Sequence, residues 1–379
     1  MKILSEKVAA IASSATMDIA DQAKKMARQG IDVISLSIGE PDFDTPSHIR
    51  DACCEALARG ETHYAPSSGI PELARAIAEK YRTENHVDCA PEQVIATCGA
   101  KHAIYQAMEA VINPADEVIV MDPAWVSYEP CVQIAGGRVR HYRVNEKTFQ
   151  VTDALAEKIT QKTKMIVVNT PGNPTGTVLT KESLRTVADL CEDYDLVALS
   201  DEIYEKLIYE KEHVSLATLG DMSQRTVTVN GFSKAYAMTG WRLGYAIAPP
   251  AIARQMLKVQ QHTVSHPTTF VMWAGIAALK GDQRCVEDMR REFDKRRRYL
   301  RDTLPELTPE MAPMDGAFYA FIRAPGDDVE IAQSWLSRAH VAVTPGTAFY
   351  APGWLRLSYA TTLARLSEAV DRILTCPGC

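Results

Sequence analysis

The chain has 379 residues, 46% of them hydrophobic and 23% charged. That is an ordinary globular composition, long enough for about two to three domains, and it excludes a disordered chain. Its 41 basic and 48 acidic residues leave a net charge of −7, which argues against a protein that grips nucleic acid through a broad basic face.

No run approaches the ~18 uninterrupted apolar residues of a membrane helix. Ser5, Glu6 and Lys7 interrupt the opening residues too early for a secretory signal. The nine cysteines are scattered and odd in number. Together these features predict reduced thiols in a cytoplasm. Cys376 and Cys379 have CxxC spacing but end the chain with no second pair nearby, so they read as a frayed tail and no metal site is expected.

In chain order, the residues up to about Gly30 read as a helix with Ile19, Ala23, Met26 and Ala27 on one face. Residues 31–37 form a short strand that runs into the turn-rich Gly39-Glu40-Pro41-Asp42. From there to about residue 250, apolar runs alternate with helical patterns, the strands falling at 94–97, 117–121, 165–169, 196–200, 226–229 and 243–248. Such alternation predicts a mostly parallel sheet covered by helices on both faces. Residues 251–281 are helical in pattern. The basic run at 290–301 contains Glu292 and Asp294 and reads as a solvated helix face rather than a phosphate patch. Short strands at 316–322, 339–344 and 354–359 complete an α+β second domain, joined by the N-terminal segment. The predicted division is 1–45 as the N-terminal segment of the small domain, 46–283 as the large domain and 284–379 as the C-terminal small domain.

Ligands of such sheets bind outside the carboxyl ends of the strands. Four strand ends carry polar sets: Cys98-Gly99-Ala100-Lys101, opening a helix with an apolar face of Ala103, Ile104, Ala107, Met108 and Val111; Asn169-Thr-Pro-Gly-Asn173-Pro-Thr-Gly176; Ser200-Asp201-Glu202-Ile203-Tyr204; and Asn230-Gly-Phe-Ser233-Lys234-Ala235. Each alone has an ordinary explanation: a packing glycine, a plain turn, a helix cap, a surface lysine.

Their order, followed by Gly240-Trp-Arg242-Leu-Gly244, resembles the fold-type I pyridoxal-phosphate aminotransferases of class I, the bacterial aspartate-aminotransferase-like branch. The likeness runs from Gly39-Glu-Pro-Asp-Phe-Asp to Arg356-Leu-Ser-Tyr359-Ala. The resemblance implies an α/β fold: a large domain with a mostly parallel seven-stranded sheet between helices, and a smaller α+β domain. It implies pyridoxal 5′-phosphate as cofactor. Lys234 would hold its aldehyde as a Schiff base, and the freed amine would carry the substrate proton. Asp201 would keep the pyridine nitrogen protonated. Asn173 and Tyr204 would bond the phenolic oxygen, and Trp125 would stack on the ring. Gly99, Ala100 and Lys101 at the helix start, with Ser233 and Arg242, would take the phosphate. Tyr64 would reach that phosphate from the neighbouring subunit, which requires a homodimer with shared active sites. Arg356 would clamp the substrate α-carboxylate beside Gly39, with Trp125 and Asn173 also touching substrate.

The implied reaction moves an α-amino group from an L-amino acid to a 2-oxo acid by a ping-pong cycle, with aspartate the first choice of donor and 2-oxoglutarate of acceptor. Ser14, Ala15, Thr16 and Lys101 match positions around the distal carboxylate in aspartate-using relatives, but Ala12-Ser13 stands where those relatives carry a basic residue and Pro. The missing cation weakens the dicarboxylate reading, for prephenate more than for aspartate, so aromatic, neutral or basic amino acids are alternatives. Prephenate stays a further one, as does β-elimination from a sulfur amino acid, which the same electron sink would serve. A DNA-binding regulator is not expected, because the chain begins directly with the aminotransferase pattern and is net acidic. His266, in a segment that is Ser/Thr-rich in relatives, reads as an ordinary surface residue.

Overall fold

The computed structural model describes residues 4–11 and 15–376, with backbone alone at 15–18 and 20. Residues 12–14 and Cys379 lie outside the described residues, as do the side chains of Ala15 and Thr16. Twelve strands are described: β1 Ile34–Ser35, β2 Val94–Thr97, β3 Glu117–Asp122, β4 Arg138–Arg143, β5 Thr163–Asn169, β6 Val197–Asp201, β7 Thr226–Gly231, β8 Gly244–Ile247, β9 Tyr319–Arg323, β10 Val341–Ala342, β11 Thr344–Pro345 and β12 Trp354–Ser358.

Seven of these form one sheet in the order β2-β8-β7-β6-β5-β3-β4. All its pairings are parallel except the two made by β8. β2 and β7 are buried at every position, as strands covered on both faces must be, which is why they read as unbroken apolar or small-residue runs. β4 is the exception that the sequence did not reveal. It lies at the sheet edge, paired only with β3, and an edge position accommodates the charges of Arg-Val-Arg-His-Tyr-Arg that hide its strand character.

The helix Ala100–Val111 buries Ala103, Ile104, Ala107 and Met108 against Val118, Val120, Val227, Val229 and Ala246. This is the apolar stripe of a helix packed on a sheet, at i, i+1, i+4 and i+5. Packing on the other face is supplied by Leu184, Val187, Ala188 and Cys191 of the helix Lys181–Asp193.

The direction of β8 decides which polar groups meet at the sheet edge. β2, β5, β6 and β7 all deliver their carboxyl ends to one edge of the sheet. Because β8 runs the opposite way, its amino end comes to that same edge and brings Arg242 with it.

β9, β11 and β12 form a small antiparallel sheet, and β1 pairs with β10 in parallel. The N–H of Leu36 donates to Ala342 O at 2.8 Å, and Leu36 O accepts from Ser358 N at 2.7 Å. The N-terminal segment is thereby threaded into the C-terminal part of the chain. The basic run is a solvated face at Arg291, Lys295, Arg298 and Arg301, which are exposed, but not throughout. Arg296 and Arg297, on the helix Arg284–Thr303, are buried. Arg296 bonds Asp42 at 2.6 Å and Glu292 at 3.2 Å, and Arg297 bonds Glu210 at 2.6 Å and Asp294 at 2.8 Å. Seven cysteines are free thiols, but Cys376 is disulfide-bonded, contrary to the expectation of reduced thiols throughout. No described helix is long and apolar enough to cross a membrane.

Candidate active site

The strand ends converge on a cavity of about 370 Å³. Gly39, Ala100, Lys101, Trp125, Asn173, Asp201, Tyr204, Ser233, Lys234, Arg242 and Arg356 all line it. These residues come from positions 39 to 356, gathered by the sheet edge and the threaded N-terminal segment.

Lys234 follows β7 by three residues. Ala237 (φ 50°) and Arg242 (φ 53°) in the loop after it are left-handed, a conformation costing roughly 1–3 kcal/mol for a residue with a side chain. The Lys234 amine donates to Gly39 O at 2.6 Å and lies 5.9 Å from each of the Tyr204 and Phe318 rings. Burial lowers its pKa from 10.5 to about 8, with Arg356 and Arg242 acting the same way against Glu40 and Asp201. A large fraction of this amine is therefore neutral near pH 8, as a nucleophile requires.

Asp201 ends β6 and is buried. Its Oδ2 accepts from Tyr128 Oη at 2.7 Å and its Oδ1 from the Ile203 N–H at 3.3 Å. Burial raises its pKa to about 6 against those two bonds. Such a carboxylate is suited to a ligand group that brings a positive N–H. Behind it, Glu202 accepts from Ser200 Oγ and Ser215 Oγ at 2.9 Å each, and lies 3.0 Å from His213 Nε2. Glu205 takes Lys80 and Asn85. Burial opposes ionisation of Glu205, yet Lys80 and His213 hold its pKa down at about 2. This charged cluster fixes the turn that presents Asp201 and Tyr204.

The loop after β5 is bound to the same turn. Asn169 Nδ2 donates to Asp201 O at 2.9 Å, and Asn169 Oδ1 accepts from the Asn173 N–H at 2.8 Å. Asn173 Oδ1 in turn accepts from Arg356 Nη1 at 2.9 Å. Arg356, on β12, also donates through Nη2 to Ser37 O at 2.6 Å and Thr344 Oγ1 at 3.4 Å. Its guanidinium carbon lies 4.7 Å from the Tyr319 ring and 4.8 Å from that of Phe349, and its Nε has no partner. Burial pushes its pKa below the usual value, though a guanidinium stays charged. Among the described residues no carboxylate forms an ion pair with Arg356. A buried cation held only by neutral acceptors is arranged for an anion from outside.

Gly99 (φ 84°) precedes the helix Ala100–Val111, and a Cβ on it would stand 2.6 Å from Arg242 Nη2. Bare backbone is thus needed where Arg242 approaches the first helical turn, whose N–H groups have no intrahelical acceptor. Arg242 donates to Thr239 O at 2.8 Å. Gly39 also has a packing reason to lack a side chain: a Cβ there would run into Tyr319 Oη. Lys101 is exposed on the rim, its amine 5.0 Å from the Trp125 ring. The surrounding wall lowers its pKa, and Arg242 adds to that.

Tyr64 is not brought to the cavity. It is 92% exposed on a separate shallow pocket with His63, His266, Thr269 and Phe270. Residues not foreseen as site residues are Tyr128, which anchors Asp201, and Tyr319, whose hydroxyl bonds that of Tyr204 at 2.7 Å. Tyr128 sits three residues after Trp125, and Tyr319 lies on a strand like any core aromatic.

The family model for class I and II aminotransferases matches residues 31–373. An aspartate aminotransferase of Pyrococcus abyssi is 44% identical over 90% of this chain and 91% of its own. An aspartate/prephenate aminotransferase of Thermus thermophilus is 43% identical over 98% of both. The solved structure of Thermus thermophilus aspartate aminotransferase with maleate superposes with a TM-score of 0.95, at 43% identity and 99% coverage of each chain.

Proposed function

The chain belongs to the class I and II aminotransferases, a family that works with pyridoxal 5′-phosphate, and from that premise we propose that it transfers the α-amino group of aspartate to 2-oxoglutarate in a ping-pong cycle. The observation that carries the reading is one cavity holding a lysine amine with a pKa of about 8 and a buried arginine without a carboxylate partner among the described residues. The cofactor fits these residues. Arg242 lies against the first turn of the helix after Gly99, whose N–H groups have no intrahelical acceptor and suit a phosphate, and the raised pKa of Asp201 suits a pyridinium N–H.

In this reading Lys234 holds the cofactor's aldehyde carbon, Asp201 its ring nitrogen, and Tyr204 and Asn173 its phenolic oxygen. Asn173 gives its Oδ1 to Arg356, so Nδ2 is the atom left to donate. Gly99, Ala100 and Lys101 offer backbone N–H groups to the phosphate, together with the Ser233 hydroxyl and Arg242. Trp125 covers the ring face. When bound, the cofactor supplies an electron sink for the negative charge left as Cα loses its proton. The Lys234 amine would take that proton at Nζ and give it back on the far side of the amino nitrogen, the task for which a pKa near working pH is suited. Arg356 holds the α-carboxylate and fixes which Cα bond faces Lys234. Lys101 reads the distal carboxylate; the Thermus structure was solved with maleate, a dicarboxylate.

A second reading, aromatic, neutral or basic donors, is favoured by Ala12, where aspartate-using relatives carry a cation. Tyr64, exposed in its own chain, supports a homodimer in which it completes the second copy's phosphate site. The seven free thiols among the described residues support a cytoplasmic location, and the disulfide at Cys376 stands against it. We take 46–283 as the cofactor-holding unit and 284–379, with 1–45, as the small one.

The test is to mix holoenzyme with single amino acids, without acceptor, and follow the cofactor's visible spectrum. Conversion by aspartate and glutamate is expected. Conversion by glutamate and aromatic, neutral or basic donors, with aspartate inert, would select the second reading. Lys234→Ala should lose the lysine-linked absorbance and at least about 10⁴-fold in turnover while staying folded. Retained steady-state turnover would remove Lys234 from the mechanism.

A further inference from the structure

Tyr64 is exposed, yet the main chain around it is held at residues 63, 65 and 67 by the last turn of the helix Pro250–Gln261 and the segment that follows it. Thr269 Oγ1 donates to His63 O at 2.8 Å. The Ala65 N–H donates to His266 Nε2 at 3.2 Å. Gln260, fully buried at the end of that helix, donates through Nε2 to Ser67 O and to Ala96 O. Residues 63, 65 and 67 are thereby pinned on both sides of Tyr64, whose own side chain stays 92% exposed beside the His266 ring.

The central tether depends on the state of one ring. His266 Nδ1 lies 2.6 Å from Pro267 O, and a carbonyl can only accept, so Nδ1 carries the proton. Nε2 is then a bare acceptor, which is what the Ala65 N–H needs. Ser265, left-handed at φ 65°, precedes the ring and aims it. The same ring stands edge-on to Tyr64, with centroids 5.7 Å apart and planes at 87°, a favourable aromatic arrangement. Fixing an exposed tyrosine in this way orders a side chain that its own cavity never meets.

We propose that His266 is a positioning residue for Tyr64: through Ala65 N–H and the ring edge it holds the Tyr64 hydroxyl ready for the phosphate-holding residues of a second copy of this chain. The inference rests on the homodimer reading of Tyr64 under the proposed function, and it replaces the reading of His266 as an ordinary surface residue.

The experiment measures the affinity of the stripped full-length protein for pyridoxal 5′-phosphate, together with hydrogen exchange at the Ala65 amide before cofactor is added. Tyr64→Phe should weaken cofactor binding roughly tenfold, the loss of one hydrogen bond to a charged group. His266→Ala should weaken it by about three- to tenfold, speed Ala65 exchange, and leave kcat at saturating cofactor within about twofold. Combined with Tyr64→Phe it should add almost nothing, since both act through one hydroxyl. His266→Gln, which keeps an acceptor at the reach of Nε2, should recover most of the affinity. Mixed dimers of His266→Ala with Lys234→Ala copies contain one site with its own Lys234 and a native His266 opposite, and that site should bind cofactor with native affinity. If the mixed dimer stays weak, or if the His266→Ala effect is additive with Tyr64→Phe, the proposal is overturned. A Tyr64→Phe protein with native affinity, or a Tyr64→Phe/Lys234→Ala mixture that is not restored, would instead overturn the dimer reading of Tyr64, and this inference with it.

Discussion

Arg356 and Lys101 are two cations on one cavity wall, and they are built in opposite ways. Arg356 is 3% exposed, its guanidinium fixed by Asn173, Ser37 and Thr344 and enclosed by two aromatic rings. Lys101 is exposed at the start of a helix, and its described neighbour is the face of Trp125 at 5.0 Å. A buried guanidinium without a counter-ion carries a desolvation cost of several kcal/mol that an incoming carboxylate offsets. A flexible exposed ammonium carries little cost and gives up little when the ligand is neutral. Under the proposed function, the group that every amino acid shares meets the rigid cation and the group that differs between them meets the adaptable one, and that reading makes specificity easier to change than catalysis.

Substitutions at the two cations test that contrast most directly. Arg356→Ala should lower kcat/KM by about a hundredfold to a thousandfold for every amino acid tried, the scale of removing one partner from a buried charged contact. A loss confined to dicarboxylic donors would move the α-carboxylate contact elsewhere. Lys101→Met should lower kcat/KM about tenfold for aspartate and glutamate and leave neutral donors within about twofold, as for a partly exposed ion pair. An equal loss for all donors would make Lys101 part of the cofactor's phosphate site instead.

A smaller effect separates the cavity floor from its rim by pH. In the cofactor-free protein, acylation of Lys234 by an amine-reactive reagent, followed by mass spectrometry, should rise with pH to a midpoint near 8, whereas an unperturbed lysine has its midpoint near 10.5. A midpoint at the ordinary value would remove burial as the cause of its reactivity. Stability responds to the same proton. Between about pH 8 and 10.5 the unfolded chain holds the Lys234 proton and the folded chain does not, so this group makes stability rise with pH across that window.

Much of the site was legible in the sequence because strand ends write their chemistry in short runs. Asp201 and Tyr204 follow one apolar run and Ser233 and Lys234 another, and a parallel sheet brings such ends together. The burial pattern of the helix Ala100–Val111 was legible for the same reason, its apolar residues recurring at helical spacing. What was not legible depends on partners distant in sequence. β4 is a strand because β3 lies beside it, not because Arg-Val-Arg-His-Tyr-Arg favours one. Arg296 and Arg297 are buried because Asp42 and Glu210 reach them from elsewhere. Tyr319 is indistinguishable from a core aromatic until its hydroxyl is seen against Tyr204. The packing of Gly39 against the Tyr319 hydroxyl was likewise hidden, because the two lie far apart in sequence.

The bond from Arg356 to Ser37 spans 319 residues, and that distance has a meaning in time. At synthesis rates of about 5–20 residues per second, Ser37 leaves the ribosome roughly 16 seconds to a minute before Arg356 does. Asp201, ending β6, and Lys234, in the loop after β7, emerge during that interval, ahead of the arginine. A nascent chain thus carries the strand ends of its cavity before the wall that Arg356 supplies exists, so the cavity is completed last and only in chains that have been translated through β12.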